Sequence, residues 1–156
     1  MLVRFTKNTP SAPADTLTCT RADGTVTVGD LPRQGILPRD AFHFVVETTL
    51  SWRDAFFGQI AAGAAHATLR NTKPARAKNV GALQSAALVE CLEATQWGGA
   101  PDPAAFAKTL ATACRRRRIP PPTITAEDLA RVRLALREFG AAWRPLNPGQ
   151  SLERTF

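Results

Sequence analysis

Hydrophobic and polar positions alternate at both ends of the chain and repeat at helical spacing in between. Leu2–Thr6 reads as a short strand, and Thr16–Thr20 and Thr25–Val28 alternate with period two. Arg21-Ala22-Asp23-Gly24 joins the latter two, and Asp-Gly tolerates the positive φ of a tight hairpin. Residues 8–14 and 29–38 carry prolines and read as loops. From Pro38 the period becomes helical. A first helix is predicted from Pro38 or Asp40 to Leu50, and a second from a Ser51/Asp54 capping box through Ala64. A third covers Val80–Thr95 and stops at Gly98-Gly99. A fourth opens at Asp102-Pro103 and runs to about Arg117. Pro120-Pro121-Pro122 enforces an extended linker, and Thr125–Asp128 caps a fifth helix that ends near Trp143. The tail alternates again, with Leu152, Arg154 and Phe156 on one face.

These elements predict an α+β fold: a small antiparallel sheet, built from the N-terminal hairpin plus a C-terminal strand, packed against about five helices. The expected organisation is a single domain over 1–156, mainly β in 1–37, helical in 38–144, with a terminal strand in 150–156. No apolar run reaches the roughly 18–20 residues of a membrane span, and the first residues lack the apolar core of a signal peptide. The expectation is a soluble cytoplasmic protein with no membrane partner. Cys19, Cys91 and Cys114 are odd in number and widely spaced, which predicts core thiols and not a disulfide or zinc framework.

Charge changes the picture in one half only. The net charge is +7. Residues 1–60 balance, with six Lys/Arg and six Asp/Glu; residues 61–156 carry fourteen against seven. That excess permits an anionic partner without requiring one.

The candidate chemistry sits on the first predicted helix. At roughly 100° per residue, Asp40, His43 and Glu47 fall within about 60° of one another, and Phe42, Val45, Val46 and Thr49 cluster opposite. Imidazole and carboxylate at i and i+4 can share a divalent cation, with Asp40 as a third ligand and His66, the other histidine, folding back to join them. The plainer reading makes Asp40 the helix N-cap, His43 a locally bonded ring and Glu47 a surface charge. Beyond a candidate divalent metal, no cofactor is implied.

Leu37-Pro38-Arg39-Asp40-Ala41-Phe42-His43-Phe44-Val45-Val46-Glu47 resembles the motif of an uncharacterised family of small bacterial proteins, Leu-Pro-His-Asp-x-x-His-[Phe/Tyr]-x-Val-Glu. Val3–Thr6, Phe57–Ala64 and Trp143–Gly149 resemble that family's opening strand, second helix and C-terminus. The family has no assigned activity, so the resemblance implies an architecture and no reaction. Asp40, His43 and Glu47 match the motif, whereas Arg39 replaces its first histidine. Arginine cannot ligate a cation and repels it, which weakens the metal reading. Arg39 is free to pair with Glu47, to meet an anionic ligand, or to lie in solvent.

Arg115–Arg118 close the fourth helix, where the negative end of the helix dipole accommodates them without a partner. Joined by Lys73, Arg76 and Lys78, they could instead contact phosphates, although no aromatic residues are interleaved for base stacking. There is no P-loop, no dinucleotide fingerprint and no nucleophile elbow. Gly58 and Gly63 read as sites of close helix packing. The leading expectation is a non-enzymatic binding or interaction protein of unidentified partner, with self-association open. The alternatives are a metal-dependent hydrolase-like protein using Asp40, His43 and Glu47, and a weak nucleic-acid binder using Arg115–Arg118.

Overall fold

The computed structural model describes residues 1–33, 35–71, 79–95 and 102–156. Strands β1 (Leu2–Thr6), β2 (Asp15–Thr20) and β3 (Val26–Leu31) precede helices α1 (Arg39–Thr49), α2 (Phe56–Ala61), α3 (His66–Asn71), α4 (Val80–Thr95), α5 (Pro103–Arg116) and α6 (Ala126–Trp143); strand β4 (Ser151–Thr155) closes the chain. The expected α+β architecture is present. All strand pairs are antiparallel, in the order β3-β2-β1-β4.

Alternation along the strands decides which face meets the helices. Val3, Phe5, Leu17, Cys19 and Leu152 are buried on one face, while Arg4 and Glu153 pair across the other at 2.6 Å. The two termini meet: the Met1 amino group donates to the Phe156 carbonyl at 3.1 Å, and the Phe156 amide donates to the Met1 carbonyl at 2.9 Å. Phe5 carries the sheet onto the helices. Its ring stands edge-on to Phe44 of α1 at 5.7 Å and to Phe139 of α6 at 5.1 Å, an arrangement that the ring quadrupoles favour.

Helix α1 packs against α2, α4 and α6, and every residue from Asp40 to Glu47 is buried. The apolar stripe and the opposite polar stripe are therefore both covered from Asp40 to Glu47, and the polar stripe faces other elements instead of solvent. A helix covered on all sides must satisfy its polar side chains internally.

Several boundaries differ from the sequence reading. β3 runs on through Gly29 and Asp30 to Leu31, where a loop was predicted, because its pairing with β2 continues through Asp30↔Thr16 and Leu31↔Asp15. Ser51 caps nothing. It adopts a left-handed φ of 56° behind α1, and the Trp52 amide reaches back to the Glu47 carbonyl at 2.9 Å. Asp54 lies instead at the first turn of α4, so close that a Cβ on Gly81 would stand 2.5 Å from its Oδ2. The predicted second helix shortens to α2, and after a turn at Gly63, whose φ is +111°, comes a helix that was not predicted, α3. Gly63 has open space where a Cβ would go, so it serves the turn and not helix packing; Gly58 has a close neighbour, but it is the Arg53 carbonyl oxygen of the segment before α2, 1.9 Å from the Cβ position, and not another helix. In α4, Ala87, Leu88, Val89 and Leu92 belong to the core, whereas Leu83 and Ala86 are half-buried. The Thr125/Asp128 capping box of α6 and the Asp102 N-cap of α5 form as the sequence implies. The Gly98-Gly99 stop and the residues Lys73, Arg76 and Lys78 lie outside the described residues.

Candidate functional site

Helices α2 and α3 have six residues each, too few to hold together on their own. Each is fastened to α1 by one carboxylate. Glu47, fully inaccessible to solvent, reaches the N-terminus of α2, where the N-cap residue Ala55 offers no side-chain acceptor. The Phe56 amide donates to Glu47 Oε1 at 3.0 Å and the Phe57 amide to Oε2 at 2.8 Å. A negative charge on the positive end of a helix is favourable, and two otherwise orphaned amides are satisfied. The opposite end is matched. Arg21, from the β2–β3 turn, donates to the Ile60 carbonyl at 2.6 Å and the Ala64 carbonyl at 2.7 Å.

Asp40 does the same for α3. It is not the N-cap of α1, a position held by Pro38, and it is only 2% exposed. Its Oδ2 accepts from His66 Nε2 at 2.9 Å and its Oδ1 from Arg70 at 3.0 Å. His66 and Arg70 are one helical turn apart, so a single carboxylate spans the α3 face. The His66 ring lies over the backbone of β3, where a Cβ on Gly29 would stand 1.9 Å from Nδ1. The His66 backbone amide donates to Thr27 Oγ1 at 3.1 Å.

His43 completes a second network. The Ser85 hydroxyl, from α4, donates to Glu47 Oε1 at 3.2 Å and lies 3.1 Å from His43 Nδ1. With the hydroxyl proton given to Glu47, the remaining bond requires Nδ1–H to donate to Ser85. His43 is itself 3.5 Å from Glu47 Oε1. Phe56 lies against both imidazoles, with centroids 5.5 Å from His43 and 5.5 Å from His66.

No protein-family model, curated protein or solved structure matches this chain.

The predicted site residues are thus neighbours, but they are divided between two networks. Asp40 and His66 belong to one, His43 and Glu47 to the other. Among the described residues no group of three or more His, Cys, Asp or Glu side chains is placed to hold a metal ion. The surface-charge reading of Glu47 is overturned by its complete burial. Ser85 is also fully buried, and its proton points to Glu47 and not to His43, the reverse of what an activated serine needs. Arg39 pairs with Glu93 of α4 and not with Glu47. Burial pushes the Glu93 carboxyl up, and the Arg39 guanidinium pulls it the other way.

Ser85, Arg70, Phe56 and Arg21 were not singled out by the sequence. Arg70 carried a usable signal, since it lies four residues after His66. Ser85 gave none beyond being a small polar residue in an Ala- and Leu-rich helix.

The arginine run separates into pairs. Arg116 bonds Glu90 Oε1 at 2.7 Å, and Arg117 bonds the other oxygen of the same carboxylate. The Arg117 hydrogen bond holds the Glu90 carboxyl below the usual range. Arg115 reaches only Thr112 Oγ1, at 3.1 Å, and Arg118 has no ion-pair partner among the described residues.

All three cysteines are free and buried. Burial, reinforced by the Asp40 charge, pushes the Cys19 thiol up to about 12. The unfolded thiol ionises near its ordinary value of about 8.5, so between there and about 12 the unfolded state has released a proton that the folded state keeps. Stability is therefore expected to fall as pH rises through that window. Urea unfolding between pH 8 and 11 (roughly the span where the two states differ) checks this, and the Cys19→Ala variant should show a shallower decline.

Proposed function

We propose that the protein is a non-enzymatic binding or interaction protein whose acid–histidine helix organises the fold. The observation that carries this reading is the internal use of every acid and histidine of that helix. Asp40, His43 and Glu47 are each engaged by another group of the chain and are at most 8% exposed. A general base or metal ligand has to reach a substrate or an ion, and these groups are already committed. The resemblance of Leu37–Glu47 to a bacterial family without assigned activity fits this reading and adds no reaction to it. The proposed setting is the cytoplasm, where three unpaired cysteines persist as thiols. No helix among the described residues is long and apolar enough to cross a membrane.

The test is the elemental metal content of tag-free protein purified without chelator, alongside His43→Ala. The expected result is sub-stoichiometric metal in both. Stoichiometric metal that His43→Ala releases would overturn the reading in favour of a metal-dependent hydrolase-like protein.

A further inference from the structure

One groove outside the two networks lies between α5 and the start of α6. Phe106, Ala107, Leu110 and Ala111 of α5, with Pro122 and Ile124 of the following extended segment, line this groove of about 280 Å³. That volume lies below the usual range for cofactor and small-molecule pockets and suits one or two aliphatic side chains. The groove follows the Pro103–Ala107–Ala111 stripe of α5, and the next position on that stripe, one turn on, is Arg115.

Arg118 marks the same end. It lies two residues beyond α5, after the C-cap Arg117, with a left-handed φ of 57°. Its amide bonds the Arg115 carbonyl at 3.0 Å, and the Ile119 amide bonds the Cys114 carbonyl at 3.2 Å. Glycine is the unstrained residue for this kind of helix ending, and a side chain there is held at a cost. The strained position presents a guanidinium that no acid of the described chain neutralises. Arg116 and Arg117, by contrast, are spent on Glu90. On the α6 bank Asp128 is spent on the Thr125 cap and on Arg131, which leaves exposed Glu127 against Arg115, Arg118 and exposed Lys108.

An apolar groove that ends in two unneutralised arginines is complementary to an acidic segment carrying apolar side chains. We propose that this groove docks such a segment of a partner protein, its apolar side chains between α5 and the Pro122–Ile124 segment and its carboxylates on Arg115 and Arg118. The proposal rests on the reading of the chain as an interaction protein. Two usable arginines suit a few carboxylates better than the long charge array of a nucleic acid, which would draw on a continuous basic run.

The test is fluorescence anisotropy with labelled short peptides that set a leucine pair at varied spacing from a glutamate pair, alongside lysine-for-glutamate counterparts and a single-stranded oligonucleotide. Saturable binding of an acidic member, about tenfold weaker for its lysine counterpart, is expected. Arg118→Gly should weaken that binding about tenfold while raising the unfolding midpoint, so misfolding cannot account for the loss. Ala111→Arg, which fills the groove, should abolish it with the circular dichroism unchanged. The proposal is overturned if no acidic peptide saturates, if binding survives Ala111→Arg, or if only the oligonucleotide binds and depends on Arg118 but not on Ala111. Failure here with metal content still low removes this surface and leaves the interaction reading; stoichiometric metal on α1 overturns that reading whatever the peptides do.

Discussion

Glu47→Ala is expected to cost about 3–5 kcal/mol of folding stability, the range for removing one member of a buried charged network. The carboxylate is fully buried and receives the Phe56 and Phe57 amides and the Ser85 hydroxyl. Alanine would strand all three donors and leave a cavity beside the His43 ring. For a chain of this length the loss corresponds to a melting temperature lower by roughly 6–20 °C. Glu47→Gln should cost less. It keeps the shape and one acceptor oxygen, but sets an amide donor against another donor. Equal losses in the two variants would mean that the charge matters and the shape does not. Thermal unfolding followed by circular dichroism makes the comparison.

Asp40→Ala should follow, at about 2–3 kcal/mol, toward the lower end for a broken buried pair because Arg70 is one-third exposed and can return to water. His66 cannot, being 3% exposed and seated on Gly29. The losses from Asp40→Ala and His66→Ala should not add. The double variant is expected to be at least about 1 kcal/mol more stable than the sum of the single losses predicts, since each removes the same bond. Additive losses in urea unfolding would show that His66 is held by packing alone.

Much of this architecture was legible in the sequence, for local reasons. The Asp23-Gly24 turn, the Thr125/Asp128 box and the Asp102-Pro103 start are signals read within a few residues, and each forms where expected. The alternating tail joins the N-terminal strands in one sheet as expected, and its partner there is β1. The errors have a common physical cause: partners that are distant in sequence. Ser51 and Asp54 have the right spacing for a capping box, yet α2 takes its cap from Glu47 on the preceding helix. Asp40 looks like an N-cap by position, but a histidine 26 residues away takes its carboxylate. The spacing of Asp40, His43 and Glu47 placed them correctly on one side of α1. It could not show that α2, α3 and α4 close over that side, and closure is what turns a candidate metal face into internal scaffolding.

The most direct test of that scaffolding is amide hydrogen exchange at Phe56 and Phe57. If Glu47 holds α2 to α1, both amides are strongly protected in the native protein. In Glu47→Ala, under conditions where it remains folded, they should lose protection by orders of magnitude while the Val3 and Phe5 amides of the central strand keep theirs. Rapid exchange of Phe56 and Phe57 in the unaltered protein would contradict the account, because it would leave Glu47 free for other chemistry.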